Sequence, residues 1–322
     1  MRVLGIETSC DETAAGVVGP EGILSDATFT QLEHVRFGGV VPEIAGRVHA
    51  ERITATVDEA LARAGCERPD AVAATAGPGL IGALLVGFSW GRASAFAWGV
   101  PFVPVNHLEA HLLTPLLADA SLDFPFLALV VSGGHTALYR AEAVGRYATL
   151  ARTVDDAAGE ACDKVARLLG LGYPGGPLLD RLATRGNPSG IRLPRPRSRG
   201  LDLSFSGLKT AVRTLVETEP GLLPEDVAAA FLDAVVDVLV DRVQRAVAAT
   251  GIRRLAVSGG VAANSRLRRR LADLPFPVTL PPLTLCTDNG AMVAHAGRAR
   301  LLAGHGEPPD ARARPVWAPG EP

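Results

Sequence analysis

The chain has 322 residues, of which 48% are hydrophobic and 20% charged, with a formal net charge of -2. That length suits one large α/β unit or two packed lobes, and the composition excludes a disordered or fibrous chain. The near-neutral charge excludes a general polyanion-binding surface, so any nucleic-acid contact must rest on local basic patches.

In chain order, Arg2 to Ile6 is an apolar run, Glu7 to Thr13 a polar turn and Ala14 to Val18 a second apolar run, which together predict a hairpin. MRVLGIETSCDE turns polar too soon to hold the apolar core of a secretory signal. Cys10, Cys66, Cys162 and Cys286 form no C-x-x-C pair, which fits a reducing compartment, so a cytoplasmic protein without membrane attachment is expected. A helix is predicted from Pro42 to Ala64, a strand at Ala71 to Thr75, a helix from Leu80 to Trp98 and a strand at Pro101 to Val105. Ala71 to Gly91 carries no charge and is long enough to span a bilayer, but Thr75, Gly77, Pro78, Gly79, Gly82 and Gly87 break it into a buried strand, a turn and a buried helix.

A second hairpin follows, with Leu127 to Val131, the turn Ser132-Gly133-Gly134-His135-Thr136, and Ala137 to Tyr139. Its likeness to the first implies internal duplication, and the alternation of strands and helices implies an α/β fold. Pro224 opens a helix whose apolar positions Val227, Phe231, Val235, Leu239, Val243 and Val247 share one face, with Gly251 as its stop. A strand at Arg254 to Val257, a Ser258-Gly259-Gly260 turn and a helix from Asn264 to Leu271 come next. Thr184 to Gly207 reads as an exposed basic insertion, and Gly304 to Pro322 as a frayed tail.

Three glycine-rich turns after buried strands can bring backbone N–H groups close to phosphate oxygens. Gly77-Pro78-Gly79-Leu80-Ile81-Gly82 also satisfies the dinucleotide fingerprint, but no acidic residue lies between Asp70 and Glu109 to hold a ribose, so close packing is the preferred reading of these glycines. In Asn106-His107-Leu108-Glu109-Ala110-His111 the two histidines lie four apart, so on a helix both project from one face and can grip one ion. A metallopeptidase would need Glu directly after the first His, where Leu108 stands; Glu109 would point about 200° away. Asp11 and Glu12 are candidates for proton handling or cation placement. Asp155 and Asp156, with Glu160 and Asp163, either serve a ligand or charge a helix start. Asp288 either caps the helix that follows it or ligates a metal. Basic residues gather at Arg192, Arg195, Arg197, Arg199 and Lys209, and at Arg253, Arg254, Arg266, Arg268, Arg269 and Arg270, where they can neutralise RNA phosphates or form a solvated face.

Met1 to about Ala303 resembles the catalytic subunits of tRNA threonylcarbamoyladenosine synthases, the TsaD family. The motifs are Glu7 to Thr13, Gly38 to Glu43, Asn106 to His111, Val131 to Thr136, Asp155 to Glu160, Ser204 to Thr210, Ser258 to Asn264 and Cys286 to Asn289, with Cys162 standing where Phe is usual and Gly290 where Ala is usual. The resemblance implies a duplicated actin and sugar-kinase-like (ASKHA) fold: an N-terminal lobe over 1–106 to which a helix at about 290–303 returns, a C-terminal lobe over 107–289 with the insertion at about 184–207, and a flexible tail over 304–322. It implies a metal, iron ahead of zinc, on His107, His111 and Asp288. It further implies threonylcarbamoyl-AMP, or an ATP- or ADP-type nucleotide in the same place, on Val130, Val131, Ser132, Gly133, Gly134, Asp163, Gly176, Asp180 and Asn264. The implied reaction is acyl transfer to the exocyclic amine of the tRNA adenosine beside the anticodon, with a smaller paralogous TsaB-type subunit and a TsaE-type ATPase as partners. A non-catalytic nucleotide-binding scaffold is the alternative, with a metallopeptidase the less favoured one.

Overall fold

A computed structural model describes residues 1–196, 200–306 and 311–321. Arg197 and Arg199 of the basic insertion therefore lie outside the described residues. The chain divides into two compact units, Met1–Ser121 with Ala143–Tyr147 and Asp288–Pro322, and Leu122–Glu142 with Ala148–Thr287.

The first unit is built on a sheet ordered β3-β2-β1-β4-β5, from β1 (Val3–Glu7), β2 (Glu12–Gly19), β3 (Gly22–Thr30), β4 (Ala71–Gly77) and β5 (Phe102–Asn106). β1 pairs antiparallel with β2 and parallel with β4, so it is central and all five of its residues are buried. Strand alternation assigns its two faces. Leu4 and Ile6 join the core with Ile53 and Val57 of α1 (Pro42–Arg63) and Phe88 of α2 (Ile81–Trp98). Gly5 faces α10 (Gly290–Leu302), where an added Cβ would lie 2.1 Å from Ala294 N. Gly16 and Gly290 likewise let α10 reach β2 backbone to backbone. Helix bounds follow local chemistry: Pro42 occupies the first turn of α1, and Gly99 ends α2 at φ 63°. Two short helices, α3 (His107–Leu113) and α4 (Pro115–Ala118), follow β5.

The second unit repeats the plan, with a sheet ordered β10-β9-β6-β7-β8 made of β6 (Phe126–Val131), β7 (Thr136–Ala143), β8 (Arg146–Arg152), β9 (Leu255–Ser258) and β10 (Val278–Thr279). β6 corresponds to β1, antiparallel to β7 and parallel to β9. Its core is closed by α5 (Ala158–Leu168), α6 (Gly175–Ala183), α7 (Ser206–Thr218), α8 (Pro224–Thr250) and α9 (Ser265–Ala272). In α8 the residues Val227, Phe231, Val235, Leu239 and Val243 are all buried, and Gly251 stops the helix at φ 73°.

Several expectations change. β3 and β8 escape the sequence reading because both are half-solvated and carry little apolar alternation. Ala71 to Gly91 is β4, a turn and the first part of α2, and among the described residues no helix is long and apolar enough to cross a membrane. A boundary at 106/107 is not where the compact units divide: α3 belongs with the first unit, because its helix starts directly from β5 and packs against α10. The tail is not frayed where it is described, since residues 311–321 belong to the first unit and Trp317 is buried in that unit's core.

Candidate functional site

β5 ends at Asn106, whose side-chain oxygen accepts from Leu108 N (2.9 Å) and Glu109 N (3.2 Å) and so starts α3. The four-residue spacing then sets His107 and His111 on one face, ring centroids 4.8 Å apart and edge to face. Asp288, just before the Asn289 cap of α10, brings its Oδ1 to 3.0 Å from His111 Nε2 and 3.7 Å from His107 Nε2. One ligand atom from each of the three lies within 4.8 Å of the other two. Two imidazole nitrogens and a carboxylate oxygen form a donor set suited to zinc or iron.

The atoms behind these donors support that fit. His107 Nδ1 is 2.9 Å from Glu7 Oε2, which also accepts from the Thr75 hydroxyl at 2.7 Å, while Ser9 N donates to Glu7 Oε1 at 2.5 Å. A proton on Nδ1 facing this buried carboxylate leaves the Nε2 lone pair for an ion. Burial works against a charged His107, but Asp288 and Glu7 outweigh it and push its pKa up to about 9. Glu12 is pushed well above the ordinary range by burial, then by Asp288, Asp11 and Glu7. The cluster is thus short of positive charge, the condition a bound cation relieves. His111 Nδ1 is buried without a hydrogen-bond partner.

Glu109 is turned away from this cluster: Tyr147 donates to Oε1 at 3.0 Å, and Arg300 Nε pairs with Oε2 at 2.9 Å. The carboxylate a metallopeptidase would need is therefore tied up elsewhere.

In the second unit, the Ser132–His135 turn is closed by Ser132 N donating to His135 O at 2.7 Å. Val130 and Val131 are buried, whereas Gly133 and Gly134 are exposed with nothing near an added Cβ. Gly159 and Gly259 are required beneath this turn, because a Cβ would lie 2.5 Å from Ser132 O and 2.4 Å from Val131 O respectively. Asp163 Oδ1 accepts from Gly175 N (2.8 Å) and Gly176 N (3.3 Å). Asp180 accepts from Asn264 Nδ2, Ser265 N and Ser265 Oγ at 2.9–3.0 Å. Asp163 is thus joined to Gly176, and Asp180 to Asn264.

Other residues singled out in the sequence have local duties. Asp155 accepts from Phe205 N and Ser206 N at the start of α7, and Asp156 pairs with Lys164 and Lys209. Arg195 and Arg270 pair with Asp237, Arg266 pairs with Asp233, and Arg268 donates to Ala262 O and Pro281 O. Lys209, Arg195, Arg266 and Arg270 thus have their charge balanced within the unit. Glu7, Ser9 and Thr75 were missed as supporting groups; the usable signal was a carboxylate on a wholly buried strand, which demands a partner.

The doubled sheet, each copy a central strand between an antiparallel hairpin and parallel neighbours, defines an actin and sugar-kinase-like (ASKHA) protein. The solved HypF structure in its phosphate- and nucleotide-bound form aligns with 94% of this chain and 46% of its own, at TM-score 0.63 and 15% identity. Component A of the (R)-2-hydroxyglutaryl-CoA dehydratase of Acidaminococcus fermentans aligns with 93% of this chain and 99% of its own, at TM-score 0.57 and 15% identity. At such identity the likeness concerns the fold alone. The family model described as "TsaD: tRNA N6-adenosine threonylcarbamoyltransferase" matches residues 22–295. Proteins of that name from Bordetella petrii and Bordetella avium are 54% and 53% identical over 320 residues, covering 94% of this chain and 92% and 93% of their own. The chain belongs to the TsaD family of tRNA N6-adenosine threonylcarbamoyltransferases.

Proposed function

We propose that this chain transfers the threonylcarbamoyl group from threonylcarbamoyl-AMP to the exocyclic amine of the adenosine at about position 37, beside the anticodon, in tRNAs that read codons beginning with A. AMP is released. The observation that carries this reading is the convergence of His107, His111 and Asp288 in a chain of this family. An adenine amine is a weak nucleophile, so the acyl donor must be activated, and a mixed anhydride with AMP meets that need. Anticodon loops display unpaired bases, which makes the adenosine reachable without opening a duplex.

His107 and His111 through ring nitrogens, and Asp288 through a carboxylate oxygen, would hold one metal ion, iron ahead of zinc. When bound, it supplies Lewis-acid polarisation of the donor's oxygens. Glu7 keeps the His107 proton on Nδ1 and fixes the ring. Glu12, its pKa raised by burial and by Asp288 and Asp11, is the group to hold and transfer a proton. The open N–H groups of Gly133 and Gly134, with Val130, Val131, Ser132, Asp163, Gly176, Asp180 and Asn264, bind the adenylate, or an ATP- or ADP-type nucleotide in its place. The enzyme works in the cytoplasm with a TsaB-type subunit and a TsaE-type ATPase. In a reconstituted tRNA modification assay, His107→Ala and His111→Ala each lose at least about 100-fold in rate, roughly 3 kcal/mol of transition-state stabilisation. Wild-type turnover in both variants would overturn the proposal.

A further inference from the structure

Residues 311–321 form neither helix nor strand, yet they are fastened to the first unit at several points. Arg314 N donates to Ala76 O at 2.7 Å, and Gly79 N donates to Pro315 O at 3.2 Å. The fit at Gly77 is close enough that an added Cβ would lie 1.9 Å from Arg314 O. Trp317 sinks its ring into the core of that unit, with the Arg314 guanidinium 5.3 Å above it. Its carbonyl, held by that buried ring, accepts from Asn106 Nδ2 at 3.0 Å.

Asn106 therefore uses both ends of its amide. The oxygen caps α3, and the nitrogen is clasped by the 311–321 segment. The same segment presses the Gly77–Gly79 turn from one side while Ser9 holds it from the other, with Leu80 N donating to Ser9 O at 2.9 Å. Ser9 Oγ in turn lies 3.3 Å from His107 Nδ1. Both routes from the segment end on the first turn of α3, a helix of only seven residues whose orientation cannot be fixed by its own length.

We infer that Asn106 is a positioning residue for the metal centre, and that the 311–321 segment acts through it as a strap aiming the His107 and His111 rings at Asp288. The inference rests on the metal reading proposed above. Its physical basis is that ring direction, more than ligand identity, separates a tight site from a loose one, and that groups orienting the ligands are commonly worth 10- to 100-fold in affinity.

The test is cobalt(II) titration of the metal-free full chain, read by visible ligand-field absorption. Asn106→Asp keeps the acceptor for Leu108 N and Glu109 N but loses the donor to Trp317 O. It should bind cobalt about 10- to 100-fold more weakly and with an altered band, while the metal-free protein keeps its melting temperature. Trp317→Ala should weaken binding to a similar degree, and Trp317→Phe, which keeps a buried ring, should restore it. Asn106→Ser, a competent cap too short to reach Trp317, serves if Asn106→Asp does not fold. Wild-type affinity and spectrum in Asn106→Asp, or in Asn106→Ser, would overturn the strap while leaving the metal reading intact. Cobalt binding by the His107→Ala variant that matches wild type would overturn the metal reading itself, and the strap with it.

Discussion

Glu7 and His107 lie a hundred residues apart in sequence and 2.9 Å apart in space, carboxylate to Nδ1, both buried. The strand that carries Glu7 and the helix that carries His107 meet through this pair, so the direction of the imidazole is a property of β1 as much as of α3. Replacing Glu7 by Gln removes the charge and keeps the shape. Metal affinity should fall about 10- to 100-fold, measured by competition with a chromophoric chelator. Thr75→Val, which removes the hydroxyl donor to Glu7, should act in the same direction with a smaller effect, below about tenfold.

Burial and three neighbouring carboxylates raise the pKa of Glu12 and so favour its neutral form, which Gln mimics in shape and charge. If its proton is the one transferred, Glu12→Gln should lose about 100-fold in single-turnover modification of tRNA with no change in metal content. If it only fills the site as a neutral hydrogen-bonding group, the same variant should stay within about tenfold of wild type.

Asp155 was open to two readings, ligand binding or helix capping, and its partners are Ser204 Oγ, Phe205 N and Ser206 N. Asp155→Ala should therefore cost about 1–2 kcal/mol of stability, seen as a lower urea midpoint. Turnover per folded molecule should be unchanged, and a rate loss without a stability loss would return Asp155 to the ligand-binding reading.

His295 on α10 has its Nε2 buried without a partner, and burial, with Arg298 adding to it, pulls its pKa down to about 4. The unfolded chain takes up this proton near its ordinary value of 6.5, the folded chain only near 4. Above 6.5 the group costs nothing. Between 6.5 and 4 the unfolded state binds more proton, so stability falls as pH falls, by at most about 3 kcal/mol. His295→Gln should flatten this part of the melting-temperature profile while leaving pH 8 little affected, and an unaltered slope would exclude the group as its source.

Gly5 and Gly290 face backbone atoms at 2.1 Å from where a Cβ would sit. Gly5→Ala should cost about 3 kcal/mol or more, because two backbones, not a pliable side chain, must part. Gly133→Ala, with open space around it, should leave the melting temperature within about a degree of wild type.

The hairpin turns, the alternation of strand and helix and the duplication were legible because fully buried strands such as β1 and β6 stand out as unbroken apolar runs. The edge strands β3 and β8 were not, since a half-solvated strand carries mixed residues that resemble a loop. His107 and His111 were legible because helical periodicity alone aligns them. Asp288 was ambiguous in sequence, as the residue before a helix cap has two equally ordinary uses. Glu7, Thr75 and the Asn106 to Trp317 clasp depend on strand register and on a segment without regular structure, and no local pattern encodes either. The glycines of Gly77 to Gly82 imitate a nucleotide fingerprint; Gly77 and Gly79 serve instead where Arg314 and Ser9 press close, while Gly82 has open space.

The sheet of the first unit is covered on one face by α1 and α2 and on the other by α10, which also follows Asp288. During synthesis the ribosome delivers everything from β1 through α3 long before it delivers that helix. The second unit's stretch, Leu122 to Thr287 apart from a short excursion, emerges in between. A nascent chain carrying both histidines thus lacks Asp288 and has one bare sheet face until residues 288–302 appear. His107, His111 and Asp288 can accordingly come together only late in synthesis, and a premature stop between His111 and Asp288 yields a chain that has both histidines without the carboxylate that completes the cluster.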